Sequence, residues 1–300
     1  MRQRRWWLGT AIITLTWLAS AWWMVGRLLG GHHDVIGAPP TELRAEEVTL
    51  ASRSGATLRG WYAPGMTGQG AVLLLHGVHA DRRAMLPRAL WLHSLGYAVL
   101  LIDFQAAGES TGDIVTIGLR ESQDATSALA WLRDRAPGER IGIIGTSMGG
   151  AAVLLAQPPL RVDAMVLEQV YPDVRLAVRD RLERHVGSYG AWMTPMLLNV
   201  LHWKTGIDPT QLRPIDGIGR LASPTLLIAG SDDEHTRLDE SLAMYAAAGG
   251  PKSLWVVPGA RHVDLYRYDV DAYRKRVGAF LAEALRASRS SETADLTRDR

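Results

Sequence analysis

Eight short apolar runs alternate with amphipathic segments along most of this chain, and this alternation limits the fold more than any other feature. The later runs are almost continuously apolar, which is typical of strands buried on both faces of a parallel sheet. The runs lie at residues 48–51, 58–63, 71–75, 98–103, 141–144, 164–167, 225–229 and 253–257. Helical spacing of apolar residues marks 83–95, 119–135, 148–156, 238–248 and 270–287. The pattern predicts an α/β fold with a mostly parallel, doubly wound eight-stranded sheet.

One segment, residues 171–213, interrupts the alternation because it contains no strand pattern. We expect it to form a cap of short helices over the carboxyl edge of the sheet. Its apolar side chains include Trp192, Met196 and Leu197, which we expect to face a substrate pocket; the alternative is that they pack on the core beneath. The main domain is then 42–287, and the polar tail 288–300 is expected to be disordered.

The N-terminus carries an arginine cluster followed by an apolar stretch, 6–25. About 20 residues at about 1.5 Å each match a hydrocarbon core of about 30 Å. Residues 1–29 therefore predict a cytoplasmic arginine cluster and a transmembrane signal-anchor, with the lipid bilayer as partner. The arginine cluster should stay in the cytoplasm, which places the main domain on the other side of the membrane; in a bacterium this is the periplasm. Ala19-Ser20-Ala21 also fits a signal-peptide cleavage site, which would give a secreted protein. Residues 30–41, rich in Gly, His and Pro, are the expected linker.

Charge and cysteine usage exclude several classes of function. The formal net charge of this 300-residue chain is only +2 and its basic residues are mostly scattered arginines, so no nucleic-acid surface is predicted. Cysteine is absent, which excludes disulfides, a thiolate nucleophile and Cys-ligated metals.

The sequence Gly145-Thr146-Ser147-Met148-Gly149-Gly150 follows one apolar run and precedes a helical segment. A G-x-S-x-G motif in this context indicates a nucleophile elbow, a tight strand-to-helix turn that presents the serine Oγ above the sheet. Gly145 and Gly149 are required because a Cβ there would collide with neighbouring backbone. Ser147 is therefore the candidate nucleophile.

A second loop, His76-Gly77-Val78, ends the run 71–75. In this architecture it supplies half of an oxyanion hole, so the backbone amides of Val78 and Met148 are the expected donors. His76 itself is more often a structural residue in such a loop.

The order of these motifs, followed by a late acid and a later histidine, resembles the α/β-hydrolase superfamily over residues 43–285. Within it, the chain looks like bacterial esterase-like and serine-aminopeptidase-like hydrolases. Those enzymes usually contain D-x-R-G-x-G-x-S after the fourth strand; here Gln105 and Ala106 replace the Arg and Gly.

The resemblance implies an acid in a G-x-x-D pattern and a histidine after the last strand. Gly230-Ser231-Asp232-Asp233 favours Asp233, with Asp232 as the rival and Glu168 as a distant alternative. His262 follows the last run and is the expected base, whereas His235 lies too near the acid in sequence.

The predicted chemistry follows from Ser147, Asp233 and His262 acting as a triad. His262 would deprotonate Ser147, Oγ would attack a carbonyl carbon, and water would release the acyl group, with no metal or cofactor needed. The expected substrate is a small acyl ester. An amide or peptide substrate is the alternative, and a non-catalytic binding module is a more distant one.

Overall fold

The computed structural model describes residues 2–286, with side chains from residue 16 onward. The strands are β1 (His32–His33), β2 (Glu46–Ala51), β3 (Thr57–Ala63), β4 (Ala71–Leu75), β5 (Ala98–Ile102), β6 (Ala107–Gly108), β7 (Ile141–Thr146), β8 (Ala164–Glu168), β9 (Thr225–Gly230) and β10 (Lys252–Val257). The helices are α1 (Arg2–Leu29), α2 (Leu86–Ser94), α3 (Leu119–Arg135), α4 (Met148–Leu155), α5 (Val174–Val186), α6 (Tyr189–Thr205), α7 (Pro214–Ile218), α8 (Leu238–Ala247), α9 (Leu265–Tyr268) and α10 (Val270–Leu285).

Eight strands form one sheet in the order β10-β9-β8-β7-β4-β5-β3-β2. All neighbours from β10 to β5 are parallel, whereas β3 pairs antiparallel with β5 and with β2. Alternate strand residues enter two separate cores, Leu73 and Leu75 on one face and Val72 and Leu74 on the other. Each of the eight apolar runs coincides with one of these strands, which confirms the mostly parallel sheet.

The cap follows β8 and contains two helices that are longer than the short helices expected from the sequence. The side chain of Asp173 begins α5 by accepting a hydrogen bond from the Arg175 N–H. Gly187 ends α5, and α6 then runs back across it. An ion pair of 2.6 Å between Arg213 and Asp173 joins the two ends of the insertion. This ion pair thus holds the start and the end of the cap insertion together.

The N-terminal helix α1 packs on the domain along its described part. Ala21, Val25 and Leu29, spaced by one helical turn, are each no more than 4% exposed and join the core on the cap side of the sheet. In the part of the chain with described side chains, no helix has the length and apolarity needed for a membrane span. The predicted span 6–25 falls partly on residues 1–15, whose side chains lie outside the described residues.

The predicted linker, 30–41, does not run free of the domain. Its strand β1 pairs with β6, and the N–H groups of Ile36 and Gly37 donate to the Glu109 carboxylate. Backbone pairing explains why a segment without apolar periodicity is still held on the surface. The predicted tail 288–300 lies outside the described residues.

Candidate active site

Ser147 lies between β7 and α4 with φ 50° and ψ −114°, a conformation that non-glycine residues rarely adopt. A Cβ on Gly145 would lie 2.7 Å from the Gly150 nitrogen, and one on Gly149 would lie 2.4 Å from the Leu75 oxygen. Neither position accepts a side chain without movement of the backbone. The turn therefore has the geometry of a nucleophile elbow.

The loops after β9 and β10 bring an acid and a histidine together. His262 Nδ1 lies 2.8 Å from Asp233 Oδ2, and His262 lines the same cleft of 460 Å³ as Ser147. Asp232 is exposed and its carboxylate accepts a hydrogen bond from Ser231. Of the two neighbouring aspartates, the geometry pairs Asp233 with the histidine.

Asp233 is buried and accepts hydrogen bonds on both oxygens. The N–H groups of His235 and Thr236 donate to Oδ1 at 2.8 and 3.0 Å. The Thr236 hydroxyl and Gln169 Nε2 donate to Oδ2 at 3.0 and 2.9 Å. Burial alone would raise the pKa of Asp233, but the hydrogen bond and charge of His262, together with these backbone N–H groups, lower it below its ordinary value. Asp233 is therefore held as a carboxylate.

Gln169 and Thr236 were not identified from the sequence. Gln169 Nε2 also donates to the Arg261 carbonyl at 2.6 Å, so one amide connects the acid to the histidine loop. Its position directly after β8 is the available signal, because polar residues at the carboxyl ends of parallel strands line the site edge in this architecture.

The oxyanion loop lies against the elbow. A Cβ on Gly77 would be 3.6 Å from the Ser147 Cβ, an ordinary van der Waals distance, so the loop lies directly beside the nucleophile. Val78 lines the cleft, and Met148 is the first residue of α4, where N–H groups have no partner within the helix. His76 is fully buried, accepts from the Phe104 N–H at 3.1 Å and has its other nitrogen 2.7 Å from the Gly77 oxygen. Burial lowers the pKa of His76, which fits a neutral residue that positions the loop.

The other candidate acid and base have different partners. Glu168 is fully buried and forms a 2.7 Å ion pair with Arg88, and it also accepts a hydrogen bond from Thr146 at 3.0 Å. The His235 ring lies 5.1 Å from the His262 ring, and burial lowers the pKa of His235 to about 4. Glu168 and His235 therefore lie beside the site and do not occupy the positions of the acid and the base.

The three predicted pocket residues are placed differently. Leu197 lines an apolar cavity beneath the cap. Trp192 is 78% exposed and packs against Trp17 of α1 with ring centroids 6.0 Å apart. Met196 is half-buried against the core. Trp192 and Met196 do not line this cavity, because helix α6 turns them toward α1 and the core.

Comparison with known proteins identifies the family. The model of the serine aminopeptidase family S33 matches residues 67–212. An uncharacterised protein of Mycobacterium tuberculosis strain H37Rv is 32% identical over 245 residues, which cover 79% of each chain. The chain belongs to the α/β-hydrolase superfamily. An uncharacterised protein of Salmonella typhimurium, YfhR, is 28% identical over 83% of this hydrolase and 85% of its own length.

Solved structures agree with this assignment at the level of fold. The esterase Pf2001 of Pyrococcus furiosus superposes with a TM-score of 0.70 at 24% identity and covers 85% of this hydrolase and 99% of its own chain. An acylaminoacyl peptidase of Pyrococcus horikoshii gives a TM-score of 0.61 at 19% identity over 81% of this hydrolase and 42% of the peptidase. Both structures thus share the α/β-hydrolase fold with this chain.

Proposed function

We propose that the protein hydrolyses carboxylic esters through an acyl-enzyme on Ser147, with His262 as general base and Asp233 as its orienting acid. The 2.8 Å contact between His262 and Asp233, in a cleft that Ser147 also lines, is the observation that carries this proposal. A buried carboxylate that accepts from one imidazole nitrogen leaves the other nitrogen as the only proton acceptor, which is the requirement for activating a serine.

The mechanism follows from the positions of these groups. Asp233 accepts from Nδ1–H of His262, so Nε2 is free to accept the Ser147 proton while Oγ attacks the ester carbonyl carbon. The N–H groups of Val78 and Met148 stabilise the oxyanion. His262 then protonates the departing alcohol, and the same residue activates a water molecule that releases the acid.

We favour an ester over an amide because an alkoxide leaves more readily than an amide anion, so amide cleavage depends more strongly on protonation of the leaving group. The family model of serine aminopeptidases favours amide or peptide hydrolysis as the second candidate. The two are separated by measuring kcat/KM for matched acyl esters and aminoacyl amides on the same preparation.

Covalent labelling tests the nucleophile directly. We expect a fluorophosphonate probe to label the wild-type chain at Ser147 and Ser147→Ala to lose both labelling and ester hydrolysis, because only the nucleophile is removed. Ser110→Ala is the control for a buried serine away from the cleft. Ester turnover by Ser147→Ala above about a thousandth of wild type contradicts the proposal.

We further propose that the N-terminal segment exports the catalytic domain and tethers it to a membrane. The arginines at 2, 4 and 5 and the apolar residues after them support this proposal. A C-terminal alkaline phosphatase fusion should be active, and the chain should stay in the membrane pellet after carbonate washing. Mass spectrometry of the mature N-terminus distinguishes an uncut anchor from cleavage after Ala21, and an inactive fusion contradicts export.

A further inference from the structure

An apolar cavity of 220 Å³ lies between the N-terminal helix α1 and the two cap helices. Helix α1 supplies Met24, Val25 and Leu28, and the described cap residues that line it are apolar except Arg181 and His185. The cavity is partly open to solvent, and an apolar lining of this kind favours apolar ligands. The cavity is therefore suited to a hydrocarbon group.

The cavity adjoins the catalytic cleft. Arg181 lines both the cavity and the 460 Å³ cleft that contains Ser147 and His262. The aliphatic stem of an arginine is compatible with an apolar wall because its guanidinium can remain in polar surroundings. An acyl chain attached to a carbonyl at Ser147 thus has apolar space beside it.

Two local contacts hold the walls of this cavity in place. Ile117 lines it with φ 54°, a strained conformation for a β-branched residue, and the Tyr171 hydroxyl donates to the Ile117 carbonyl at 2.6 Å. Such strain persists only where surrounding structure enforces it, and it concentrates at functional sites. The second contact is on α1, where His79 Nε2, one residue after Val78, donates to the Leu28 carbonyl at 3.0 Å. Helix α1 is thereby joined to the oxyanion loop.

We propose that this cavity binds the acyl chain of the substrate, so that α1 forms one wall of the substrate site. The inference rests on the proposed ester hydrolysis and names its substrate class, esters of medium-chain fatty acids. At roughly 30 Å³ for a group the size of a water molecule, the cavity holds about seven such groups. Each methylene buried there should raise kcat/KM about four-fold, up to hexanoyl or octanoyl esters.

The experiment uses the full chain and 4-nitrophenyl esters from acetate to dodecanoate. Leu28→Trp fills the cavity from α1, and displacing two methylene groups should lower the octanoate-to-acetate ratio of kcat/KM about 15-fold. Leu201→Ala enlarges the cavity from α6 and should move the preferred chain length upward. Leu18→Trp is the matched control, because Leu18 lies on the same helix, is 36% exposed and does not line the cavity.

The outcomes separate this inference from the proposed function. Opposite shifts in Leu28→Trp and Leu201→Ala, with an unchanged ratio in Leu18→Trp, support the cavity as the acyl site. An unchanged ratio in both cavity variants, or an equal shift in the control, overturns it while ester hydrolysis stands. If Leu28→Trp does not fold, the chain-length profile of Leu201→Ala decides. A wild-type chain that is labelled at Ser147 but hydrolyses no acyl ester refutes the proposed function and this inference together.

Discussion

Replacing Asp233 by asparagine changes one atom, and the surrounding hydrogen bonds determine how the amide must lie. The two donors to Oδ1 are backbone N–H groups that cannot turn away, whereas the donors to Oδ2, Thr236 and Gln169, are side chains that can rotate, so the asparagine oxygen stays at Oδ1. Its NH₂ group then takes the place of Oδ2 and faces His262 Nδ1 at 2.8 Å. Because NH₂ donates, Nδ1 must become the acceptor and the proton moves to Nε2. The imidazole then cannot accept the Ser147 proton.

We therefore expect Asp233→Asn to lower kcat about 10⁴-fold, the loss that a wrong tautomer causes in a serine protease, or about 5 kcal/mol of barrier. Asp232→Asn, at the neighbouring carboxylate, removes only a charge at the surface because the amide oxygen can still accept from Ser231, and it should change kcat by less than about two-fold. Turnover of a 4-nitrophenyl ester is measured for both variants, with thermal melts as the check on folding. A folded Asp233→Asn that retains a tenth of wild-type kcat, or an Asp232→Asn that is the weaker enzyme, would refute the tautomer argument.

Two further predictions concern stability. Arg88→Met leaves the fully buried Glu168 without its 2.7 Å ion pair and should lower the free energy of unfolding by about 3–5 kcal/mol in urea titrations, whereas adding Glu168→Gln should recover part of it. Burial and the charge of Asp180 raise the pKa of Glu240, so the folded state keeps a proton that the unfolded chain releases above its ordinary pKa of about 4.3. Stability should fall as pH rises from there through neutrality, and Glu240→Gln should flatten that slope in melts at several pH values.

The fold could be predicted because its signals are local. Central strands such as β4 and β5 are short, fully buried apolar runs, and their residues, such as Leu73 and Leu74, alternate between two cores, so the sequence itself indicates burial on both faces. Helix α3 begins and ends at the predicted residues, Leu119–Arg135. The weak strands β1 and β6 were not predicted, because each is two residues long and is defined by backbone pairing across 75 positions in sequence.

The candidate site was predictable where a motif fixes the backbone and not where it depends on contact between distant loops. Ser147 could be named because its glycines are required by the turn itself. The preference for Asp233 over Asp232 rested on spacing, whereas the structure distinguishes them through His262 and Gln169, which reach the Asp233 carboxylate from two other loops. The periodicity of a sequence does not indicate which distant loops come into contact.

Hydropathy alone cannot tell whether the apolar N-terminal segment enters a membrane or packs on the protein. A run of apolar residues serves equally well to enter a bilayer and to cover an apolar protein surface, because both remove the same side chains from water. In α1 the buried residues Ala21, Val25 and Leu29 recur every fourth position, while Trp22 and Trp23 between them remain exposed. A one-sided pattern of this kind is what packing on a protein requires, since a lipid-facing span has no need of a preferred face. The last two turns of α1 therefore have the pattern of a helix that packs on the protein, as expected of a helix that forms one wall of the proposed acyl site.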